Sequence, residues 1–183
     1  MTDYTDQSWN VRDEFKGMSV DEIKLALKPR RQRFISVFEN LSGDYNKATG
    51  CRNHNAFCGQ EIWFVGNKKW DKRGAVGTYN YEDIRYFASW GAVAQFFADP
   101  PGEYHHEWVA VDNVPGAEPL DTFLWSRDTI MVYGEEKRGL SDEALSLCDR
   151  TVYIPMLGSV RSLNVGTASG IIMYDYVTQG KDK

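Results

Sequence analysis

Apolar residues gather along the chain in five short runs rich in β-branched and aromatic side chains. They read FISVF at 34–38, EIWFVG at 61–66, WVAVD at 108–112, TIMVYG at 129–134 and TVYIPM at 151–156. Each predicts a strand. Several are apolar throughout instead of alternating, as in strands covered on both faces. Helix-like stretches accompany them: SVDEIKLALK at 19–28, YEDIRYFASWGAVAQFF at 81–97, SDEALSLC at 141–148 and SLNVGTASGIIMYDYV at 162–177. Ser19 and Glu22 have capping-box spacing, Pro29 closes the first helix, and Ser141 suits the N-cap of the third. The alternation predicts an α/β fold, a mostly parallel sheet with helices on both faces. No internal repeat interrupts it, so residues 31–183 are expected to form one domain. Residues 1–30 precede it as an N-terminal arm with a short helix.

Composition narrows the class without naming a chemistry. The 183 residues are 42% hydrophobic and 26% charged, as in soluble globular proteins. No run approaches the roughly 20 apolar residues that span a bilayer. The acidic, polar opening MTDYTDQSWNVRDEF is unlike a signal peptide. A cytoplasmic protein with no membrane association is expected. Cys51, Cys58 and Cys148 are odd in number and lack close-pair spacing, and His54, His105 and His106 form no HExxH pattern. No metal is assigned. The net charge of −5 argues against indiscriminate nucleic-acid binding but leaves two local basic clusters, KPRRQR at 28–33 and NKKWDKR at 67–73.

Ligands of open parallel sheets bind beyond the carboxyl ends of the strands, which directs attention to the loops after Val65, Val111, Tyr133 and Pro155. MVYGEEKRGLSDEAL has the G-x-x-x-x-G spacing of a phosphate loop between Gly134 and Gly139, but Leu140 stands where that loop needs lysine. What remains is a glycine at a strand end, where a flat ligand can approach the backbone. IPMLGSVRSLNVGTASG places Arg161, Ser162 and Asn164 where a strand gives way to the last helix. Ser162 would serve there as N-cap and Asn164 as a first-turn residue. Gly166, Ala168 and Gly170 weaken that helix by about 1 kcal/mol per glycine, which implies a need for close approach. DYNKATGCRNHNAFCG sets Asn46 and Arg52 six residues apart, off the i,i+4 spacing of a shared helix face.

Together these stretches resemble the SpoU (TrmH-like) family of RNA 2′-O-ribose methyltransferases, in the SPOUT superfamily. Asn46-KATGC-Arg52-NHNAFCG matches loosely the pattern N-x-G-A-x-x-R-T-A followed by phenylalanine and glycine. Gly134-E-Glu136-KR-Gly139-Leu140-Ser141 matches G-x-E-x-x-G-L-S, and Ile154-Pro155-Met156-L-Gly158-SVR-Ser162-Leu163-Asn164-Val165 matches I-P-M-x-G-x-x-x-S-L-N-V-S. Three departures stand out: Cys58 precedes Gly59, Asn53 and His54 replace Thr-Ala, and Gly166 replaces serine. The resemblance implies a deep C-terminal trefoil knot and a homodimer with the active site shared across the interface. Trp63 and Tyr174 are candidates for that interface.

The resemblance also implies a cofactor, S-adenosyl-L-methionine, in a pocket lined by Gly134, Ile154 and Leu163 with Met156 and Gly158 nearby. The reaction it implies is methyl transfer to a ribose 2′-hydroxyl. Arg52 would be central, with Asn46, Glu136, Ser162 and Asn164 around it. A guanidinium stays protonated at ordinary pH, so Arg52 is expected to grip an RNA phosphate and stabilise developing alkoxide instead of accepting a proton. Ser162 and Asn164 would orient the ribose or Arg52, and Glu136 would pair with Arg52 or accept a proton through water. The RNA would be held by Arg30, Arg31, Arg33, Lys68, Lys69 and Arg73, with a tRNA expected before a ribosomal RNA. The alternatives are a methyltransferase acting on rRNA and an inactive knotted RNA-binding protein.

Overall fold

A computed structural model of the chain describes residues 11–39, 44–98, 104–135 and 138–180. Its centre is a seven-stranded sheet of β1 (Phe34–Glu39), β2 (Glu61–Val65), β3 (Ile84–Phe87), β4 (Glu107–Val111), β5 (Glu118–Pro119), β6 (Thr129–Tyr133) and β7 (Arg150–Tyr153). The strands lie in the order β3-β2-β1-β6-β4-β7-β5, and every neighbouring pair is parallel. Among the described residues five α-helices accompany them: α1 (Val20–Leu27), α2 (Asp44–Ala56), α3 (Trp90–Ala98), α4 (Asp142–Ser146) and α5 (Val165–Gln179).

The continuous apolar runs are explained by two cores, one on each face of the sheet. On one face Phe34, Phe38, Phe64, Met131 and Tyr133 pack with Ala48 and Cys51 of α2 and with Ile172, Met173 and Tyr176 of α5. On the other, Ile35, Val37, Trp63, Ile130 and Val132 pack with Trp90 and Val93 of α3 and Ala144 of α4. Trp63 is wholly buried there, so it is a core residue and not an interface candidate. Alternate residues of β1 serve opposite cores, as the two-residue period of a strand requires.

Several expected elements are corrected. Residues 81–97 are not one helix: Ile84–Phe87 is an edge strand paired with β2, and α3 starts at Trp90. The two-residue β5 was not expected. α5 begins at Val165 instead of residue 162, because Asn164 is the N-cap and its side chain accepts from the amides of Gly166 and Thr167. The expected caps at Ser19, a full capping box with Glu22, and at Ser141 are formed. In the arm, Phe15 and Ile23 are buried, and Lys24 pairs with Asp83 at 2.7 Å. No helix among the described residues is long and apolar enough to cross a membrane.

Candidate active site

The strand-end rule points to one end of the sheet, and a cavity lies there. A cleft opens beyond the carboxyl ends of β4, β6 and β7, walled by Val111, Asp112, Tyr133, Gly134, Tyr153, Ile154, Met156, Arg161, Ser162, Leu163, Val165 and Ala168. Four of the five residues expected to line a cofactor pocket, Gly134, Ile154, Met156 and Leu163, therefore meet in one place. Gly158 does not: it is exposed, and a Cβ there would meet nothing within 4 Å.

Gly134 has a different reason for being glycine from the one expected. An added Cβ would lie 2.3 Å from the carbonyl carbon of Gly139 and 2.4 Å from the amide nitrogen of Leu140. The loop's own backbone occupies the space. Glu135 and Gly139 exchange both backbone hydrogen bonds, at 3.0 and 2.7 Å, and Gly139 takes the left-handed φ of +69° that closes so tight a loop. Two carboxylates hold the loop from below. Asp112 accepts from the amide of Leu140 at 2.8 Å. Buried Glu39 accepts from the amide and hydroxyl of Ser141, at 2.9 and 2.6 Å, and from the indole of Trp90 at 2.7 Å. Glu136 lies outside the described residues.

Beside the cleft, α5, which contributes Val165 and Ala168 to its wall, is in contact with α2. Asn46 Oδ1 accepts from Asn164 Nδ2 at 2.9 Å, and Asn53 Nδ2 donates to the Gly166 carbonyl at 2.6 Å and to Ser169 Oγ at 3.1 Å. A Cβ on Gly166 would meet Thr49 Cγ2 at 2.7 Å, and one on Gly170 would meet Asn53 at 3.2 Å. The small residues of α5 thus admit the side chains of α2, and Asn53, one of the departures from the family pattern, clamps the pair. Asn113 Nδ2 reaches the Arg161 carbonyl at 3.5 Å and ties the two cleft loops.

Arg52 is placed elsewhere. It projects from a different face of α2, exposed, and its side chain makes no ion pair or hydrogen bond among the described residues. It borders a cavity against the arm, with Arg12, Phe15, Arg30 and Tyr81. The fold therefore brings Asn46, Asn164 and Ser162 toward the cleft but leaves Arg52 apart from it.

The proposed RNA contacts separate into two groups. Arg30, Arg31 and Arg33 precede β1, at the end of the sheet away from the cleft, and each is committed to a carboxylate: Glu14 at 3.0 Å, Glu82 at 2.5 Å, and Asp128. Lys68, Lys69 and Arg73 follow β2, at the cleft end, and all three are exposed. Arg73 is bound to Asp71. Sequence reasoning singled out the loop of Arg161, which does line the cleft, but missed Asp112 and Asn113 as cleft residues and Glu39 as a support. The strand-end rule pointed to the loop of Asp112 but named no residue in it.

A parallel α/β sheet with its cleft at the strand ends and its last helix clasped to α2 defines the class structurally. The SpoU rRNA Methylase family model matches residues 33–174, and the chain belongs to that family. It is 47% identical over 64 residues to the tRNA (guanosine(18)-2′-O)-methyltransferase of Escherichia coli (strain K12), a stretch covering 35% of this chain and 27% of that protein. It is 41% identical over 63 residues to a 23S rRNA (guanosine-2′-O-)-methyltransferase of Acinetobacter baylyi, covering 34% and 25%. The matched stretch thus spans about a quarter of these curated relatives. The A. aeolicus TrmH/SpoU tRNA modifying enzyme shares the fold, with a TM-score of 0.76 at 22% identity over 89% of this chain and 83% of that one. The SpoU methyltransferase AviRb of Streptomyces viridochromogenes, solved with AdoMet, gives 0.72 at 26% over 82% and 59%.

Proposed function

We propose that the protein is an S-adenosylmethionine-dependent RNA methyltransferase acting on a ribose 2′-hydroxyl, with a tRNA as its substrate. The observation that carries this reading is the convergence of Gly134, Ile154, Met156, Ser162 and Leu163 on one cleft beside the Asn46–Asn164 contact. The cleft suits the cofactor: apolar walls from Ile154, Leu163 and Ala168 fit an adenine, and Asp112, Asn113 and Ser162 offer polar groups at its edge. S-adenosylmethionine supplies an electrophilic methyl group. The chain's own residues hold it, exclude water and orient the ribose, and fixed orientation lowers such a barrier by roughly 7–11 kcal/mol. Ser162 and Asn164 orient the hydroxyl, Glu136 is the proton acceptor or a partner of arginine, and Arg52 grips a phosphate and stabilises the developing alkoxide.

Assembly as a homodimer follows from the same reading. Arg52 stands away from the cleft of its own chain, so a second copy completes the site. Support comes from the exposed apolar side chains Ile171 and Tyr174 on α5, beside the partly buried Phe57 that follows α2. The segment after β7 is taken to thread an earlier loop as a deep trefoil knot, a reading supported by family membership and by the tight α2–α5 contact. Residues 1–30 are an arm appended to the catalytic domain, and the protein works in the cytoplasm. Incubation with methyl-labelled S-adenosylmethionine and total cellular RNA, followed by nuclease digestion, tests the proposal. Label in a 2′-O-methylnucleoside of the tRNA fraction is expected. Label in ribosomal RNA changes the substrate, and label on a base overturns the ribose assignment.

A further inference from the structure

Tyr45 is the second residue of α2, immediately before Asn46, and is 64% exposed. Its ring lies along the turn that follows the basic cluster: a Cβ on Gly74 would stand 3.7 Å from Tyr45 Cδ1. That turn ends a loop carrying Lys68, Lys69, Lys72 and Arg73 against one carboxylate, Asp71, in a chain whose net charge is −5. The loop is held in place from within. Lys47, buried on the neighbouring position of α2, donates to the Asn67 carbonyl and to the Lys69 carbonyl at 3.5 Å. Lys68 lies 5.2 Å over the Tyr86 ring, and Lys72 lies 4.6 Å over Tyr79. The loop is thus fixed on an aromatic ledge, with its cationic side chains exposed. All of this sits at the cleft end of the sheet, one residue from the Asn46–Asn164 contact.

We propose that Tyr45 and the 67–73 loop form a shelf for an unpaired nucleotide of the RNA, adjacent to the one whose ribose enters the cleft. This inference rests on the RNA-methyltransferase reading above. The base stacks on the Tyr45 ring, and the flanking phosphates meet Lys68 and Lys69. An exposed aromatic ring beside exposed cations is the combination that binds single-stranded nucleic acid without base-edge readout. Arg30, Arg31 and Arg33 take no part, since they are ion-paired at the other end of the strands.

Binding of end-labelled unfractionated tRNA, followed by fluorescence anisotropy through a sodium chloride series, tests the shelf. Tyr45→Ala should weaken binding on the order of tenfold to a hundredfold with the salt dependence unchanged, because stacking releases no counterions. Tyr45→Phe should bind as the wild type does. Lys68→Ala/Lys69→Ala should flatten the plot of log affinity against log salt by one to two units. Affinity for S-adenosylmethionine, read by calorimetry, should be the same in all of them. Wild-type RNA affinity in Tyr45→Ala, with RNA methylation intact in the wild type, overturns the shelf alone. A wild-type protein that neither binds nor methylates any RNA overturns the underlying reading with it.

Discussion

Asn46 Oδ1 accepts a hydrogen bond from Asn164 Nδ2 at 2.9 Å, joining the first turn of α2 to the N-cap of α5. The two partners carry different structural burdens. Asn164 also caps α5 through its side-chain oxygen, whereas Asn46 caps no helix end among the described residues. Asn164→Ala should therefore cost about 1 kcal/mol of stability as well as activity. Asn46→Ala should lose activity with a nearly unchanged melting temperature. Thermal unfolding and methyl-transfer rate, measured on both variants, check the distinction.

Gly134 and Gly158 stand in motifs of similar appearance but in opposite surroundings. Gly134→Ala drives a methyl group into the backbone of Gly139 and Leu140. It should destabilise the protein by more than about 2 kcal/mol and abolish cofactor binding. Gly158→Ala meets only open space and should behave as the wild type in denaturant titration and calorimetry.

Cys58 occupies the position where the family pattern has glycine directly after phenylalanine, and its φ is +54°. A non-glycine residue in that region is strained. Cys58→Gly should raise stability by about 1 kcal/mol, or roughly 2–4 °C in melting temperature for a domain of this size. Cys58→Ala should bring no such gain.

Buried Glu82 accepts from Arg31 at 2.5 Å and Asn55 at 2.6 Å, and burial pushes its pKa up from 4.5 to about 7 against the pull of Arg31. The neutral acid is favoured in the fold, so the stability tied to Glu82 is complete below pH 4.5 and is lost as pH rises toward 7. His54, 3.7 Å from Glu82, is held neutral by burial and by Arg31, its pKa lowered from 6.5 to about 3. Its contribution is complete above pH 6.5 and is lost as pH falls toward 3. The two oppose each other between pH 4.5 and 6.5 and flatten the wild-type profile. Glu82→Gln removes one of them. Its stability relative to the wild type should rise steadily from pH 4.5 to 7 in urea titrations.

The strands were legible where burial on both faces writes a continuous apolar run, as in β1 and β6. β3 was hidden because Ile84, Phe87, Trp90 and Val93 recur every three residues, which imitates one helix face across a strand, a turn and a helix. α2 gave little helical signal, since its buried positions include Lys47 and His54 beside Ala48 and Cys51. The cleft was legible through motif spacing, because Gly134, Ile154 and Leu163 follow strand ends or precede α5, where the backbone alone brings them together. The supports were not. Glu39 meets Ser141 across 102 residues, and Arg31 meets Glu82 across 51, and no local pattern encodes such pairs.

The role proposed for Arg52 is to act on the RNA in the methyl transfer and not on the cofactor. Single-turnover methyl transfer to tRNA by the wild type and by Arg52→Lys, with S-adenosylmethionine affinity measured in parallel, tests it most directly. A lysine keeps the charge but cannot form the bidentate fork. The expected result is loss of most of the transfer rate with cofactor affinity unchanged. Near-wild-type transfer by Arg52→Lys would contradict the role assigned to Arg52, and loss of cofactor binding in that variant would place the residue in the cofactor site instead.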